Sequence, residues 1–292
     1  MVSKIKYIYR IIAVLLQDIK YTLSFLKKYD EDQEVIFSKL RTCVHALDKG
    51  VNLQPFEKGH SKEVYKKSLL LRAKITNEKI HSDKSFHWAC SVIEEYENKQ
   101  IGDINNINKN TQDYQFNKTE KDLFYSIIKK RTSCRNYTDK KISDNIWNEI
   151  IGIAAEAPSG CCRQSSRYYI ENNPLVIKEL IKNIAGASGF SSKIPYLICV
   201  TSDIRSYEIR DRHLPIIDTS LNIENFILAC AANNIATTAL NWQHATFKQE
   251  KKARKYLNIP KYEKIILFIA AGYPKIIPSK PKRIDLKWIR KK

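Results

Sequence analysis

The sequence has little glycine, proline and methionine, with 8 Gly, 9 Pro and 1 Met among 292 residues. This composition excludes collagen-like and low-complexity chains, and the 43% of apolar residues is enough for a buried core. No apolar run approaches the roughly 18 residues that a membrane-spanning helix needs. Residues 11–16 are apolar, but Asp18 and Lys20 follow at once, which is not the pattern of a signal peptide. We therefore expect a globular cytoplasmic protein.

The cysteines also lack a pattern, because the seven of them show no CxxC spacing and are odd in number. They predict free thiols in a reducing compartment. The adjacent pair Cys161 and Cys162 suits redox chemistry if nearby Arg163 lowers the thiol pKa. It also suits small packing residues, because adjacent cysteines close a disulfide only with strain. The sequence has no zinc-finger spacing, and we predict no metal site.

Acidic residues are the minority charge, with 31 Asp and Glu against 50 Lys and Arg and a formal net charge of +19. Such an excess suits an anionic ligand, an anionic membrane or nucleic acid. The lysines are spread over most predicted helices rather than gathered in one stripe, which favours solvated charge. We predict no nucleic-acid partner. A non-catalytic basic module that binds an anionic polymer or a membrane surface stays open as an alternative function.

The first hundred residues are predicted to be all-helical. Apolar residues recur at helical spacing through 4–28, which indicates an amphipathic helix. This helix could pack on its own protein or a second subunit, or make a weak contact with a membrane surface. Asp30 and Gln33 predict a capping box for a second helix ending near Leu47, and further helices are predicted near 61–77 and 84–98. We predict a helical region at 1–101 and an Asn-rich linker at 102–117.

From residue 118 onward, helical patterns alternate with short β-type runs, which predicts a mixed α and β domain at 118–292. The helix at 218–233 is apolar on nearly every side and is expected to be buried centrally. A Thr246–Gln249 capping box is predicted to open the last long helix. The other predicted helices are 119–130 and 144–155, and the predicted strands are 167–171, 196–201, 237–242 and 264–271.

Two segments carry chemistry. Lys130–Tyr137 supplies Arg131, Ser133 and Arg135, and two guanidinium groups beside a hydroxyl suit a phosphate. The same residues could simply cap the end of a basic helix. Ala157–Tyr169 is a small-residue turn between a helix and a strand, which either lets backbone approach a flat ligand or is only a tight connection.

Together, about 25 residues apart, these segments resemble the signature of the nitroreductase family. That signature runs Arg-Arg-Ser-x-Arg-x-aromatic and then Ala-Pro-Ser-x-x-Asn-x-Gln-Pro-Trp-x-aromatic. Later features are also similar: Asp218 with Asn225 in one helix, residues 234–238 where the family usually has Gly-Leu-Gly-Thr-Cys, and Ala-Gly-Tyr-Pro at 271–274. The resemblance covers about 170 residues.

The resemblance implies an α+β fold with a central, mainly antiparallel sheet flanked by helices, preceded here by the all-helical N-terminal region. It implies a homodimer with FMN at its interface. The implied activity is a ping-pong reaction in which NADH or NADPH reduces the flavin and an unidentified small molecule is then reduced. An FMN domain redirected to a biosynthetic step, such as modification of a polysaccharide precursor, is an alternative. No catalytic residue is assigned.

The resemblance also implies residue roles. Arg131, Ser133 and Arg135 would hold the FMN phosphate and ribityl chain, and basic residues of the 280–283 tail would complete this cage, unless the tail is only disordered charge. Ser159 and Gly160 would lie against the isoalloxazine of the other subunit. The full predicted binding set is Arg131, Thr132, Ser133, Arg135, Pro158, Ser159, Gly160, Cys162, Gln164, Ala236, Thr237, Lys282 and Arg283.

Several positions depart from the family pattern. Cys162 stands where the family usually has Asn, Ser165 and Ser166 replace Pro-Trp, and Ala236 replaces a Gly, which disfavours a positive φ there. These departures concern the ring pocket and leave a flavin-free member as an alternative.

The segment 44–50 resembles a His-x-Leu-acid-Lys-Gly motif found ahead of the nitroreductase domain in one subgroup, often among polysaccharide-biosynthesis neighbours. His45 could orient a substrate, or it could be a helix-end histidine satisfied by its neighbours. Gly50 is expected to stop the helix.

Overall fold

The computed structural model describes residues 2–53, 55–102, 115–243 and 245–291. The helices in these ranges are α1 (Val2–Ser24), α2 (Gln33–Asn52), α3 (Lys62–Ala73), α4 (Glu78–His81), α5 (Lys84–Ile101), α6 (Lys118–Lys130), α7 (Asp144–Ala155), α8 (Pro174–Ile181), α9 (Leu214–Ala232), α10 (Phe247–Leu257) and α11 (Leu286–Ile289). The strands are β1 (Ser166–Glu171), β2 (Tyr196–Asp203), β3 (Ala236–Leu240) and β4 (Glu263–Gly272). None of these helices is long and apolar enough to cross a bilayer.

The four strands form one sheet in the order β1-β2-β4-β3, and every neighbouring pair is antiparallel. The predicted α+β class and mainly antiparallel sheet are therefore confirmed. A register shift between Val200 and Thr201 interrupts the long β2–β4 ladder. Beyond the ladder, Ser133 pairs with Thr237 in an isolated parallel bridge, so the predicted phosphate segment lies at the β3 edge.

Helices cover both faces of the sheet. Alternate residues of a strand point to opposite faces, and β2 places Leu197 and Cys199 in one apolar cluster and Ile198 and Val200 in another. The first cluster also contains residues of α8 and α10, and the second contains residues of α7 and α9. The centre of the sheet is thus buried on both sides, and its edges and strand ends are where a site can form.

A third apolar cluster lies among the N-terminal helices, where α2 and α5 bury residues such as Leu40, Leu47 and Ile93. Helices α1–α5 fall within the region predicted to be helical. The predicted division into 1–101, 102–117 and 118–292 remains a prediction. Residues 103–114 of the proposed linker lie outside the described ranges.

Helix ends match the sequence in some places and not in others. The Thr246–Gln249 capping box is present. The predicted Asp30–Gln33 box is wrong: Asp30 pairs with Lys39 at 2.7 Å, and α2 is capped instead by Asp32, which accepts from two backbone N–H groups.

Two other expectations about helices also need correction. Gly50 does not stop α2, which continues to Asn52. The central helix α9 is buried along one side only, because Ile217 and Leu221 on its other side are about half exposed, at 52% and 45%. The exposed side of α9 is therefore available to pack against another surface.

A buried arginine connects the start of α2 to the end of β2 through ion pairs. Arg205 lies 2.7 Å from Asp203, 2.6 Å from Asp32 and 2.5 Å from Glu34, and its guanidinium stacks 3.7 Å from the ring centre of Tyr262. Burial disfavours the charge of Arg205, but these carboxylates hold its pKa above the ordinary value. The contact links the N-terminal helices to the sheet.

We expect Arg205→Met to destabilise the protein by about 3 kcal/mol, because it leaves the buried Asp203 carboxylate without its closest cation. Urea unfolding monitored by circular dichroism measures the change. Arg210→Met, which removes an exposed ion pair with Glu208, is the matched control and is expected to change stability by less than about 1 kcal/mol. Equal midpoints for both variants would contradict the prediction.

Candidate active site

The segment that leaves α6 is held against β3. The backbone N–H of Cys134 donates to the carbonyl of Thr237 at 3.3 Å, and the Tyr137 hydroxyl donates to the carbonyl of Cys134 at 2.5 Å. These contacts fix the backbone between Arg131 and Arg135. Two predicted binding residues, Ser133 and Thr237, are therefore neighbours although the chain separates them by about a hundred residues.

The C-terminal tail returns to this segment. The Lys280 ammonium donates to the carbonyls of Ile128 and Lys129 at 2.8 and 3.1 Å, at the C-terminal end of α6. Partial desolvation, with the positive charges of Arg131 and Arg283, lowers the pKa of Lys280. Three cations from opposite ends of the predicted domain therefore lie near one another. Lys280 is not in the predicted binding set, although it belongs to the same basic tail.

The remaining predicted residues of this group are less constrained. Arg135 is exposed, and its guanidinium lies 5.9 Å from the ring centre of Phe190. Arg283 donates only to the carbonyl of Pro281, at 3.4 Å, and Lys282 is exposed. Within the described ranges, the ion pairs include none between a carboxylate and Arg131, Arg135 or Arg283. Thr132 and Ala236 are half-buried beside the group.

The second predicted segment forms a strained turn, residues 159–164, which we name the cysteine turn. Cys161, Cys162 and Gln164 have positive φ angles of 54°, 54° and 50°. Residues other than glycine seldom adopt this conformation, and clusters of it occur at functional sites. Ser159 supports the turn, because its hydroxyl accepts from the backbone N–H of Gln164 at 3.1 Å.

Arg163 anchors the turn from inside. Its guanidinium pairs with Asp211 at 2.9 Å and donates to the carbonyls of Gly160 and Ser206, each at 3.0 Å. The charge of Arg163 is therefore paired with the carboxylate of Asp211. Burial raises the pKa of Cys162, with Asp48 and Cys161 acting in the same direction. Of the two readings of the adjacent cysteines, these surroundings favour a packing role for Cys162 over an activated thiolate.

Ser165, one of the departures from the family pattern, is buried in a hydroxyl network. It lies 2.8 Å from both Ser202 and Tyr207, and Tyr207 donates to the buried carboxylate of Asp218 at 2.8 Å. Burial raises the pKa of Tyr207 well above its ordinary value. This position therefore holds the turn to α9 and β2, and Ser165 also contributes to the lining of a cavity beside the turn.

Helix α2 contacts the cysteine turn directly. Arg41 donates to the carbonyls of Cys162 and Arg163 at 3.3 and 2.9 Å. The thiol of Cys162 lies 3.3 Å from Nδ1 of His45, and burial, together with Lys49, lowers the pKa of His45. The His45 motif therefore meets the predicted ring-binding segment. Sequence analysis did not single out Arg41, which carries no motif signal.

The predicted residues thus fall into two groups. The phosphate-site cluster contains Arg131, Ser133, Thr237 and the basic tail. The ring group consists of exposed Pro158 and the cysteine turn that follows it, where Gln164 is exposed and Ser159, Gly160 and Cys162 are half-buried. Between the groups, the described residues form no direct hydrogen bond or ion pair.

Comparison with known proteins places these features in a family. A sequence model of the nitroreductase family matches residues 128–188 and 183–273, together half of the chain. A protein of Archaeoglobus fulgidus, provisionally named NADH dehydrogenase/NAD(P)H nitroreductase, is 27% identical over 156 residues, which are 51% of this chain and 84% of that protein.

Two solved structures share the fold. They are proteins provisionally named NADH dehydrogenase/NAD(P)H nitroreductase from Parabacteroides distasonis and Bacteroides thetaiotaomicron. Each has a TM-score of 0.50, with sequence identities of 17% and 18%. Each comparison covers 58% of this chain, and 97% and 96% of the respective structures. With both predicted signatures inside the family match, the chain belongs to the nitroreductase family and is an oxidoreductase.

Proposed function

We propose that this protein is an FMN-dependent oxidoreductase that takes hydride from NADH or NADPH and passes it to a small molecule by a ping-pong mechanism. The observation that carries the proposal is the return of the basic tail to the phosphate segment, where Lys280 donates to the carbonyls of Ile128 and Lys129 just before Arg131 and the Ser133–Thr237 bridge. Seven free cysteines support a reducing, cytoplasmic location.

The phosphate-site cluster fits the phosphate end of FMN. Desolvation, followed by repulsion from Arg131 and Arg283, lowers the pKa of Lys280, and a bound dianion would offset that repulsion. Arginine forks pair bidentately with phosphate oxygens. The hydroxyl of half-buried Ser133 is available for a further contact. Exposed Lys282 and Arg135 would add charge at the rim.

The ring group fits a flat ligand through backbone rather than through side-chain acids and bases. Flavin, when bound, supplies the hydride chemistry itself. The chain has to hold the ring and exclude water, and the anchored cysteine turn offers half-buried Ser159 and Gly160 at its surface. Cys162, paired with His45, offers a weaker polar contact than the usual Asn would.

The separation of the two groups supports a homodimer. If FMN binds between the phosphate-site cluster of one subunit and the cysteine turn of its partner, no contact between these two sets of residues is needed within one chain. Large apolar side chains are exposed on α6 and α9 and offer a surface for a second copy: Leu123, Phe124, Ile217 and Leu221. A twofold dimer would then contain two equivalent FMN sites.

We expect Arg131→Ala to weaken FMN binding about 10- to 100-fold, because a charge-assisted phosphate contact contributes about 1.5–3 kcal/mol. Titration of the apoprotein with FMN, followed by flavin fluorescence, gives the dissociation constant. Lys121→Ala, on the exposed part of α6, removes the same charge away from the group and is expected to bind as wild type. Equal affinity in the two variants would argue against the phosphate cage.

Co-expression of two defective subunits tests the shared site. We expect Arg131→Ala subunits mixed with Gly160→Val subunits to recover about a quarter of the FMN sites, since half of randomly mixed dimers carry one intact site of two. A side chain at Gly160 is crowded, because its Cβ would lie 3.1 Å from Leu214 Cδ1. Bound flavin per purified protein is the measurement.

The matched control mixes Arg131→Ala with Arg283→Ala subunits. Both changes fall in the phosphate-site cluster, so every FMN site of a mixed dimer keeps one defect. No recovery of FMN binding is expected. Recovery in this control, or none in the first mixture, would contradict a site built from two subunits. Light scattering on the same samples confirms that the mixtures contain dimers.

A further inference from the structure

A cavity of about 650 Å³ lies where α2 and the start of α5 meet the cysteine turn and β1. Its volume is typical of small-molecule sites. The walls include Ser38, Arg41, Trp88, Cys162 and Arg167. The N-terminal helices therefore form one side of this cavity, and the nitroreductase domain forms the other.

One polar group in the cavity wall is unsatisfied. Ser38 is only 5% exposed, and its hydroxyl is without a hydrogen-bond partner among the residues that the structure describes. A buried hydroxyl that makes no hydrogen bond loses its hydration energy without compensation. A ligand atom in the cavity would satisfy it.

A buried cation lies one helical turn farther along α2. Arg41 is 8% exposed and packs over the Phe37 ring at 4.4 Å. Its Nε and one terminal nitrogen donate to carbonyls of the cysteine turn, while the other terminal nitrogen has no partner among the described side chains and carbonyls. Burial, followed by repulsion from Arg167, lowers the pKa of Arg41 to about 10. Arg41 remains a cation at neutral pH.

The acidic residues of the cavity are mostly engaged elsewhere. Glu34 and Asp203 pair with Arg205 at 2.5 and 2.7 Å, and Asp203 also lies 3.7 Å from Arg167. Asp83 attracts Arg41, but its carboxylate caps α5 by accepting from the N–H and hydroxyl of Ser85, each at 2.7 Å. Glu156 is exposed at the rim. These carboxylates therefore form no ion pair with Arg41, whose buried charge favours an anionic ligand.

We propose that the cavity binds the acidic group of the enzyme's substrate, a carboxylate or phosphate on a small organic molecule. Arg41, Arg167 and Ser38 hold the anion, and Trp88 covers the carbon skeleton. Cys162 and Gln164 belong both to the cavity wall and to the proposed ring group, so a substrate held here lies beside the flavin face. The assignment as a substrate subsite rests on the proposed FMN function.

The ¹⁹F NMR signal of a fluorinated Trp88 reports directly on binding in the cavity. Protein labelled with 5-fluorotryptophan contains four such residues, and Trp88→Phe identifies the signal of Trp88 in ¹⁹F NMR spectra. FMN-saturated protein is titrated with two probes, malonate and inorganic phosphate. We expect a saturable shift of the Trp88 signal with at least one probe. A response to malonate alone identifies a carboxylate site, and a response to phosphate alone identifies a phosphate site.

Variants locate the binding. We expect Arg167→Gln to raise the half-saturating probe concentration about 10-fold or more and Ser38→Ala to raise it about 2- to 10-fold. Arg210→Gln and Ser188→Ala are matched surface controls and are expected to titrate as wild type. Arg41 is left intact because it also anchors α2. Absence of a saturable shift with both probes, or wild-type titration of both cavity variants, would overturn the inference.

The same samples separate this inference from the proposed function. Titration of Arg131→Ala shows whether phosphate acts through the FMN cage, and the Trp88 response is expected to persist in that variant. If the protein binds no FMN but Trp88 still responds in wild type and is weakened in both cavity variants, the flavin function fails and the anion site stands. If FMN binds but the Trp88 signal does not shift with either probe, the substrate subsite is ruled out and the FMN function stands.

Discussion

The hydrogen bonds from Arg41 to two carbonyls of the cysteine turn connect the N-terminal helices to the chemistry of the nitroreductase domain. The turn places three residues other than glycine in the left-handed region, at a cost of about 1–2 kcal/mol each. Hydrogen bonds from a charged group contribute about 1.5–3 kcal/mol each, which is enough to offset much of that strain. Without α2, the same turn would depend on Ser159, Arg163 and Arg167 and on the hydroxyl network of Ser165.

The same contact determines what kind of pocket forms. A buried guanidinium that is paired only with carbonyls keeps its full positive charge, and the nearby carboxylates are held by Arg205 or by the α5 cap. The cavity therefore contains a buried positive charge, while its exposed lining residues Glu34, Lys84 and Glu156 carry both signs. Preference for a small anion would then depend on the buried guanidinium rather than on the charge at the mouth.

Local patterns predicted much of this structure. Helical periodicity and β-type runs located most elements of the nitroreductase domain, and the spacing of Arg131, Ser133 and Arg135 identified the segment that joins β3. α8 was not predicted, because its eight residues are too few for a periodic signal and its start rests on Asn173 before Pro174. The roles of Arg41 and Arg205 could not be predicted, since each depends on partners more than a hundred residues away. Positive φ angles at cysteines contradict the ordinary preference for glycine.

The departures from the family pattern at Cys162 and Ser165 have a common structural setting, the cysteine turn and the contacts that support it. Cys162 meets His45 of α2, and Ser165 is tied to Tyr207 and Asp218 beneath the turn. A large Pro-Trp pair at 165–166 would not fit the hydroxyl network that Ser165 now occupies, since that position is 4% exposed. Of these changes, Cys162 contacts the N-terminal helices, Ser165 supports the turn from beneath, and Ala236 lies apart on β3, while the phosphate segment keeps its arginines. If the cysteine turn holds the flavin ring as we propose, the contacts with α2 would alter the substrate side of the pocket rather than abolish cofactor binding.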